Sequence, residues 1–200
     1  MTITNEIFIN VDNKMVKYIL EEPKNDFEII EPKRTFVEDI KKDTTPYFFI
    51  RTIKDPTEAE QIASVNRCPD SIKYIKYPLE TVQLASVCKN GYSIQYIKDP
   101  SESVQLAAVT NYGYSIQFIK DPSESVQLAA VTNYGDNIKF IKNPSEKVQL
   151  AAVNKNGYSI QYIKEPSEKI QIAAVTRYSH SIRYIKDPLE SVQKLCPKYY

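Results

Sequence analysis

The residues that could carry covalent chemistry are few. One histidine occurs, His180, with three cysteines, Cys68, Cys88 and Cys196, and many serines. Nucleophilic catalysis needs a serine or cysteine beside a base, and only His180 could be that base. Ser101 and Ser123 stand at helix starts, where serine is favoured for capping. A structural metal site draws several histidine or cysteine ligands together; here the cysteine count is odd and no CxxC spacing occurs. Free thiols in a reducing cytosol are the plainer reading. The phosphate-cradling patterns GxGxxG and GxxxxGK[ST] are absent. These residues assign no catalytic, cofactor-binding or metal-binding role, and the chain reads as a non-enzyme.

The residues that recur at fixed spacing are of another kind. Tyr92, Tyr114, Asp136, Tyr158 and His180 lie 22 apart, and Tyr112, Tyr134 and Tyr178 stand two residues before that column. A column that accepts aspartate is expected at an exposed rim, and exposed tyrosines at repeated turns make a recognition edge. Lys54, Lys76, Lys98, Lys120, Lys142, Lys164 and Lys186 form a second column; Glu58, Glu80, Glu102, Glu124, Glu146, Glu168 and Glu190 form a third. Lysine ending one helix and glutamate starting the next both favour helix dipoles, balancing charge within each repeat. As a functional reading, the lysines line one edge and receive an acidic partner. The candidate partner-binding residues are therefore Tyr92, Tyr112, Tyr114, Tyr134, Tyr158, Tyr178, Lys98, Lys120, Lys142 and Lys164. A further column, Tyr74, Tyr96, Phe118, Phe140, Tyr162 and Tyr184, mixes tyrosine with phenylalanine and is expected in the core.

The elements that must position these residues follow from the same period. Proline recurs at Pro56, Pro78, Pro100, Pro122, Pro144, Pro166 and Pro188. Residues 93–109 read SIQYIKDPSESVQLAAV, and residues 115–131 differ from them at one position. Asp99, Pro100 and Glu102 predict an N-cap, a first helical residue and a capping box. The chain's four glycines, Gly91, Gly113, Gly135 and Gly157, are expected as left-handed C-caps; Pro69 and Ser179 replace them at the ends. Each unit then holds one helix of about ten residues and a second of about seven, neither stable alone, so stacking must supply the core. Ala63, Ala85, Ala107, Ala129, Ala151 and Ala173 predict close helix approach, giving a rod of about 60 Å. Lys194 and Pro197 stand where leucine and valine would be and predict a terminal cap.

The fold expected is an all-α solenoid of about seven 22-residue helical hairpins over residues 49–200, with residues 1–48 as an N-terminal cap or arm. In that arm Ile3, Ile7, Ile9 and Val11 fit a period of two, as in a β-strand or hairpin. Tyr18–Pro23 echoes the repeat, and Phe36–Ile40 reads as one or two helical turns. The arm has net charge −3 and the array +4.

Composition bounds the function. The 200 residues are 42% hydrophobic and 26% charged with net charge +1, which fits a folded, soluble chain and disfavours sequence-independent nucleic-acid binding. No apolar run suggests a membrane span and the first 13 residues lack a secretory pattern, so a cytoplasmic location is expected. Abundant isoleucine, lysine, tyrosine and asparagine fit an AT-rich coding genome.

The pattern NGYSIQYIKDPSESVQLAAV, over residues 47–195, resembles a family of uncharacterised helical repeats found in bacteria, bacteriophages and giant viruses. The resemblance implies an α-solenoid and a phage or viral origin, and brings no reaction. Together these readings point to a protein–protein interaction module. Its sharper form is a viral protein acting in the host cytoplasm as a host-defence inhibitor that blocks a protein complex. The alternatives are a self-assembling structural protein and a solenoid that binds or mimics nucleic acid.

Overall fold

The computed structural model describes residues 5–11, 14–20 and 33–35 and, from 50 to 199, all but residue 52. Strands β1 (Asn5–Val11), β2 (Lys14–Leu20) and β3 (Lys33–Thr35) form an antiparallel sheet in the order β1-β2-β3. The β1–β2 register runs from Asn5 opposite Leu20 to Val11 opposite Lys14. The alternation at Ile7, Ile9 and Val11 thus lies in a strand. Tyr18–Leu20 is strand too, not an echo of the repeat. Ile3, Glu21–Pro23 and Phe36–Ile40 lie outside the described residues.

From Glu58 onward the chain is an α-solenoid. Helices α1 (Glu58–Arg67), α2 (Glu80–Lys89), α3 (Glu102–Asn111), α4 (Glu124–Asn133), α5 (Glu146–Lys155) and α6 (Glu168–Arg177) have ten residues each. Between them run six-residue 3₁₀ helices: η1 (Pro69–Tyr74), η2 (Gly91–Tyr96), η3 (Gly113–Phe118), η4 (Gly135–Phe140) and η5 (Gly157–Tyr162). η6 (Ser179–Tyr184), α7 (Glu190–Leu195) and η7 (Pro197–Tyr199) close the array. Consecutive α helices pack together, as do consecutive 3₁₀ helices. The core is therefore continuous along the stack.

That core is built one slice per repeat. Val104, Ala108 and Val109 of α3 and Ile94 of η2 are buried, and their counterparts recur in each neighbouring repeat. Burying one valine or isoleucine stabilises by about 1.5–3 kcal/mol. The tight column lies one residue after the one expected. Ser64, Ser86, Ala108, Ala130, Ala152, Ala174 and Cys196 are buried, whereas Ala107, Ala129 and Ala151 are only half-buried.

Local geometry corrects three further expectations. The second element is 3₁₀ and shorter than a seven-residue helix, ending at an extended isoleucine such as Ile97. The N-cap is not Asp99 but Ser101, whose Oγ accepts from Val104 N at 3.4 Å; Glu102 is the first helical residue. A complete capping box occurs at Thr57 with Glu60. Asp99, Asp121, Glu165 and Asp187 instead take the left-handed turn, with φ of 45–52°. No described glycine has positive φ. A Cβ on Gly91 would sit 2.5 Å from the Ala108 carbonyl oxygen of the next repeat. Glycine is thus required by close approach between repeats and not as a left-handed cap.

At the two ends that approach is relaxed. Pro69 and Ser179 replace glycine, and the facing alanine becomes Ser86 or Cys196. Ser86 Oγ donates to Pro69 O at 2.9 Å, and Cys196 Sγ donates to Ser179 O at 3.6 Å. One glutamine per repeat pins the turn: Gln61, Gln83, Gln105, Gln127, Gln149, Gln171 and Gln193 each donate to the carbonyl of the proline five residues earlier, at 2.8–3.1 Å.

Candidate functional site

The 3₁₀ helices carry most of the exposed rings. Tyr74, Tyr96, Phe118, Tyr162 and Tyr184 are 37–50% exposed and Phe140 is half-buried, so this column is surface and not core as expected. A six-residue 3₁₀ helix can bury little more than its isoleucine and serine positions, and its last residue falls on the outer side. The isoleucine that follows is extended and buried. Side chains flanking an extended residue project opposite to it. Tyr96 and Lys98 therefore emerge on one side of buried Ile97, and Phe118 and Lys120 repeat the arrangement.

The expected tyrosine edge joins this column. Tyr92 and Tyr112 have ring centroids 4.7 Å apart, Tyr112 and Tyr114 6.2 Å, and Tyr114 and Tyr134 5.6 Å. Tyr92 meets Phe118 edge-on at 5.9 Å, and Tyr114 meets Phe140 at 6.2 Å. A second group, Tyr158, Tyr178 and Tyr184, has centroid distances of 5.3 and 5.9 Å. Tyr112, Tyr134, Tyr158 and Tyr178 are exposed, and Tyr92 and Tyr114 are half-buried between them. Burial and then the Tyr112 phenol beside it push the Tyr92 hydroxyl above the ordinary tyrosine range.

The break between the two groups falls at Asp136. Its carboxylate accepts from Asn156 Nδ2 at 2.8 Å and Ser159 Oγ at 2.7 Å. Asp70 does the same with Asn90 at 3.2 Å and Ser93 at 2.8 Å. Each of these junctions is therefore either an Asp–Asn–Ser clasp or a Tyr–Tyr contact. Where tyrosine replaces the aspartate, the buried Ser115 and Ser181 hydroxyls have no hydrogen-bond partner among the described residues. Asn137 takes the serine position after Tyr114 and donates to Ala130 O at 2.8 Å. This pairing is written in the sequence as residues 20 apart that change together: Asp70 with Asn90, Tyr92 with Tyr112, Tyr114 with Tyr134, Asp136 with Asn156, Tyr158 with Tyr178. Reading single columns misses it.

Cations lie on the rings. Lys139 Nζ is 4.9 Å from the Phe140 centroid, 5.6 Å from Tyr114 and 5.9 Å from Tyr162, so one cation meets rings of three successive 3₁₀ helices. Lys73 covers Tyr74 and Tyr96 at 5.1 and 5.4 Å. Neither lysine belongs to the expected column. Lys98, Lys120, Lys142 and Lys164 are exposed, each two residues after a ring of the Tyr96 column.

Each glutamate of the column begins its α helix, as the dipole reading expects, and among the described residues none forms an ion pair with these lysines. Glu80 accepts from Ser101 Oγ, Glu102 from Ser123 and Ser125, and Glu124 from Ser145, each at 2.5 Å across a repeat boundary. Those hydrogen bonds hold the Glu102 carboxyl below its ordinary range. The ion pairs Lys147–Glu124, Lys169–Glu146 and Lys194–Glu190 all lie on the α-helix side.

Remaining candidates are scattered. His180 is exposed at the second residue of η6, while Ser101 and Ser123 cap α3 and α4. Cys88 is exposed and Cys196 buried, and burial pushes the Cys196 thiol up. Among the described residues no group of three His, Cys, Asp or Glu side chains could hold a metal ion, and no helix is long and apolar enough to cross a membrane. No protein-family model, curated protein or solved structure matches the chain.

Proposed function

We propose that the protein is a non-catalytic binding module whose 3₁₀ face docks another protein. The observation that supports this most is the run of ring contacts from Tyr92 through Tyr134, which leaves rings exposed on successive repeats instead of burying them. Contiguous exposed apolar surface rimmed by polar groups marks interaction sites, and tyrosine is enriched among the residues that dominate binding energy. Of the ten candidates from the sequence, the six tyrosines take part in such ring contacts and the four lysines are exposed two residues after a ring of the neighbouring column.

The narrower reading, a phage or viral protein that occupies a subunit interface of a host defence complex in the cytoplasm, rests on the resemblance of the repeat pattern. The test is site-specific photo-crosslinking in the cell where the protein is made. Crosslinkers placed at Tyr96 and Tyr162 should capture one protein partner, and those at Ser103 and Lys169, on the α-helix side, should capture none. Equal capture from both sides, or capture only of a second copy of the chain, would defeat the reading.

A further inference from the structure

Resting on that protein-binding reading, we infer that the 3₁₀ face takes an extended acidic segment of its partner in the polyproline-II conformation, one turn of the segment per repeat. The first argument is spacing. Packed helices lie about 8–10 Å apart, so rings such as Tyr96 and Phe118 recur along the stack at roughly that interval. A polyproline-II segment has three residues per turn and rises about 3.1 Å per residue, returning a side chain to the same side every ~9.3 Å. Its open, ungathered backbone lies flat on aromatic rings, which is how proline-rich segments dock.

The second argument is charge. Among the described residues Lys98, Lys120 and Lys164 form no ion pair, although the exposed Asp99, Asp121 and Glu165 follow them directly in the chain. The carboxylates of the opposite side are engaged by serine hydroxyls of the next repeat. One lysine per repeat therefore faces outward beside one ring, which matches a segment with one acidic residue in three. A stacked nucleic-acid strand carries a charge every ~3.4 Å, nearly three per repeat, so a protein segment fits better than a nucleic acid.

The test uses the full chain and synthetic probes in a calorimetric titration. The probe is a peptide repeating Pro-Pro-Glu; the comparisons are Pro-Pro-Gln, Pro-Pro-Pro-Glu and single-stranded oligothymidine of similar length. The Pro-Pro-Glu peptide should bind, and each comparison should bind at least about tenfold more weakly. Lys98→Gln, Lys120→Gln and Lys164→Gln together should weaken it by about tenfold or more, as should Tyr96→Ala with Tyr162→Ala, with the melting temperature of the lysine variant unchanged. Absence of binding, equal binding of the four-residue repeat, tighter binding of oligothymidine, or indifference to the lysine variant would overturn the proposal. If the peptide fails while Tyr96 and Tyr162 still crosslink a protein, only the segment's conformation and charge are wrong. If crosslinking fails as well, the docking face itself is wrong.

Discussion

Single residues separate two explanations that the sequence alone leaves entangled. A glycine recurring after a helix reads as a left-handed cap, yet Gly91 and Gly157 have ordinary φ and owe their identity to the carbonyls of Ala108 and Ala174, each 2.5 Å from where a Cβ would stand. Alanine at a permissive φ normally stabilises by reducing unfolded-state entropy. Here Gly91→Ala and Gly157→Ala should destabilise by about 1–3 kcal/mol through overpacking. Gly113→Ala should cost somewhat less, because the Ala130 carbonyl stands 3.2 Å away and the 2.5 Å obstacle is the side-chain amide of Asn137, whose displacement loses only its hydrogen bond to Ala130 O. Denaturant melts of the three variants check this ordering. The Glu102 carboxyl offers a second test. Its folded-state pKa is lowered by the Ser123 and Ser125 hydroxyls, so its stabilising contribution is present above the ordinary carboxylate range and fades as pH falls through the lowered value. In Ser123→Ala/Ser125→Ala the Glu102 resonance should titrate at higher pH in an NMR series. The period of 22 made these columns visible; which atom each column meets depends on the neighbouring repeat, and no single copy contains that.

At the scale of the element, the junction between repeats is the unit that matters. Asp136→Tyr alone removes the acceptor for Asn156 and Ser159 and should destabilise by about 1–3 kcal/mol. Adding Asn156→Tyr rebuilds the contact made by Tyr114 with Tyr134. A double-mutant cycle should therefore return a coupling of about 0.5–3 kcal/mol, favourable to the pair; zero coupling would mean that the two junction types are not alternatives. Overpacking follows the same geometry. Ala130→Leu should cost about 1–3 kcal/mol, and Ala129→Leu less, since Ala129 is only half-buried. The helix positions were legible because proline, a capping serine and an apolar run recur together. The outward aromatic column was not legible, since Tyr96 lies between buried Ile94 and Ile97 in sequence. It falls off the isoleucine face in the 3₁₀ turn, about 120° from Ile94 and Ile97, and its alternation with phenylalanine is what reads as core.

For the molecule as a whole, repetition makes the solenoid readable in the sequence, and the order α helix, 3₁₀ helix, left-handed turn follows once the junction contacts are known. What the repeat could not convey is which side meets a partner, because lysine and glutamate columns balance in the composition and separate only in space. The central claim is that stability is local to neighbouring repeats, so a repeat is removable when its junction partners are preserved. Deleting residues 112–133 joins Asn111 to Tyr134, so that Tyr92 meets Tyr134, Glu102 meets Ser145, and the Asp136 clasp with Asn156 remains. Thermal unfolding followed by far-ultraviolet circular dichroism is the direct measurement. The shortened chain should keep the parent's helical signal per residue and one cooperative transition, with its midpoint a few degrees lower. A chain that loses its helical signal, or melts without a transition, would contradict a stack held by nearest neighbours.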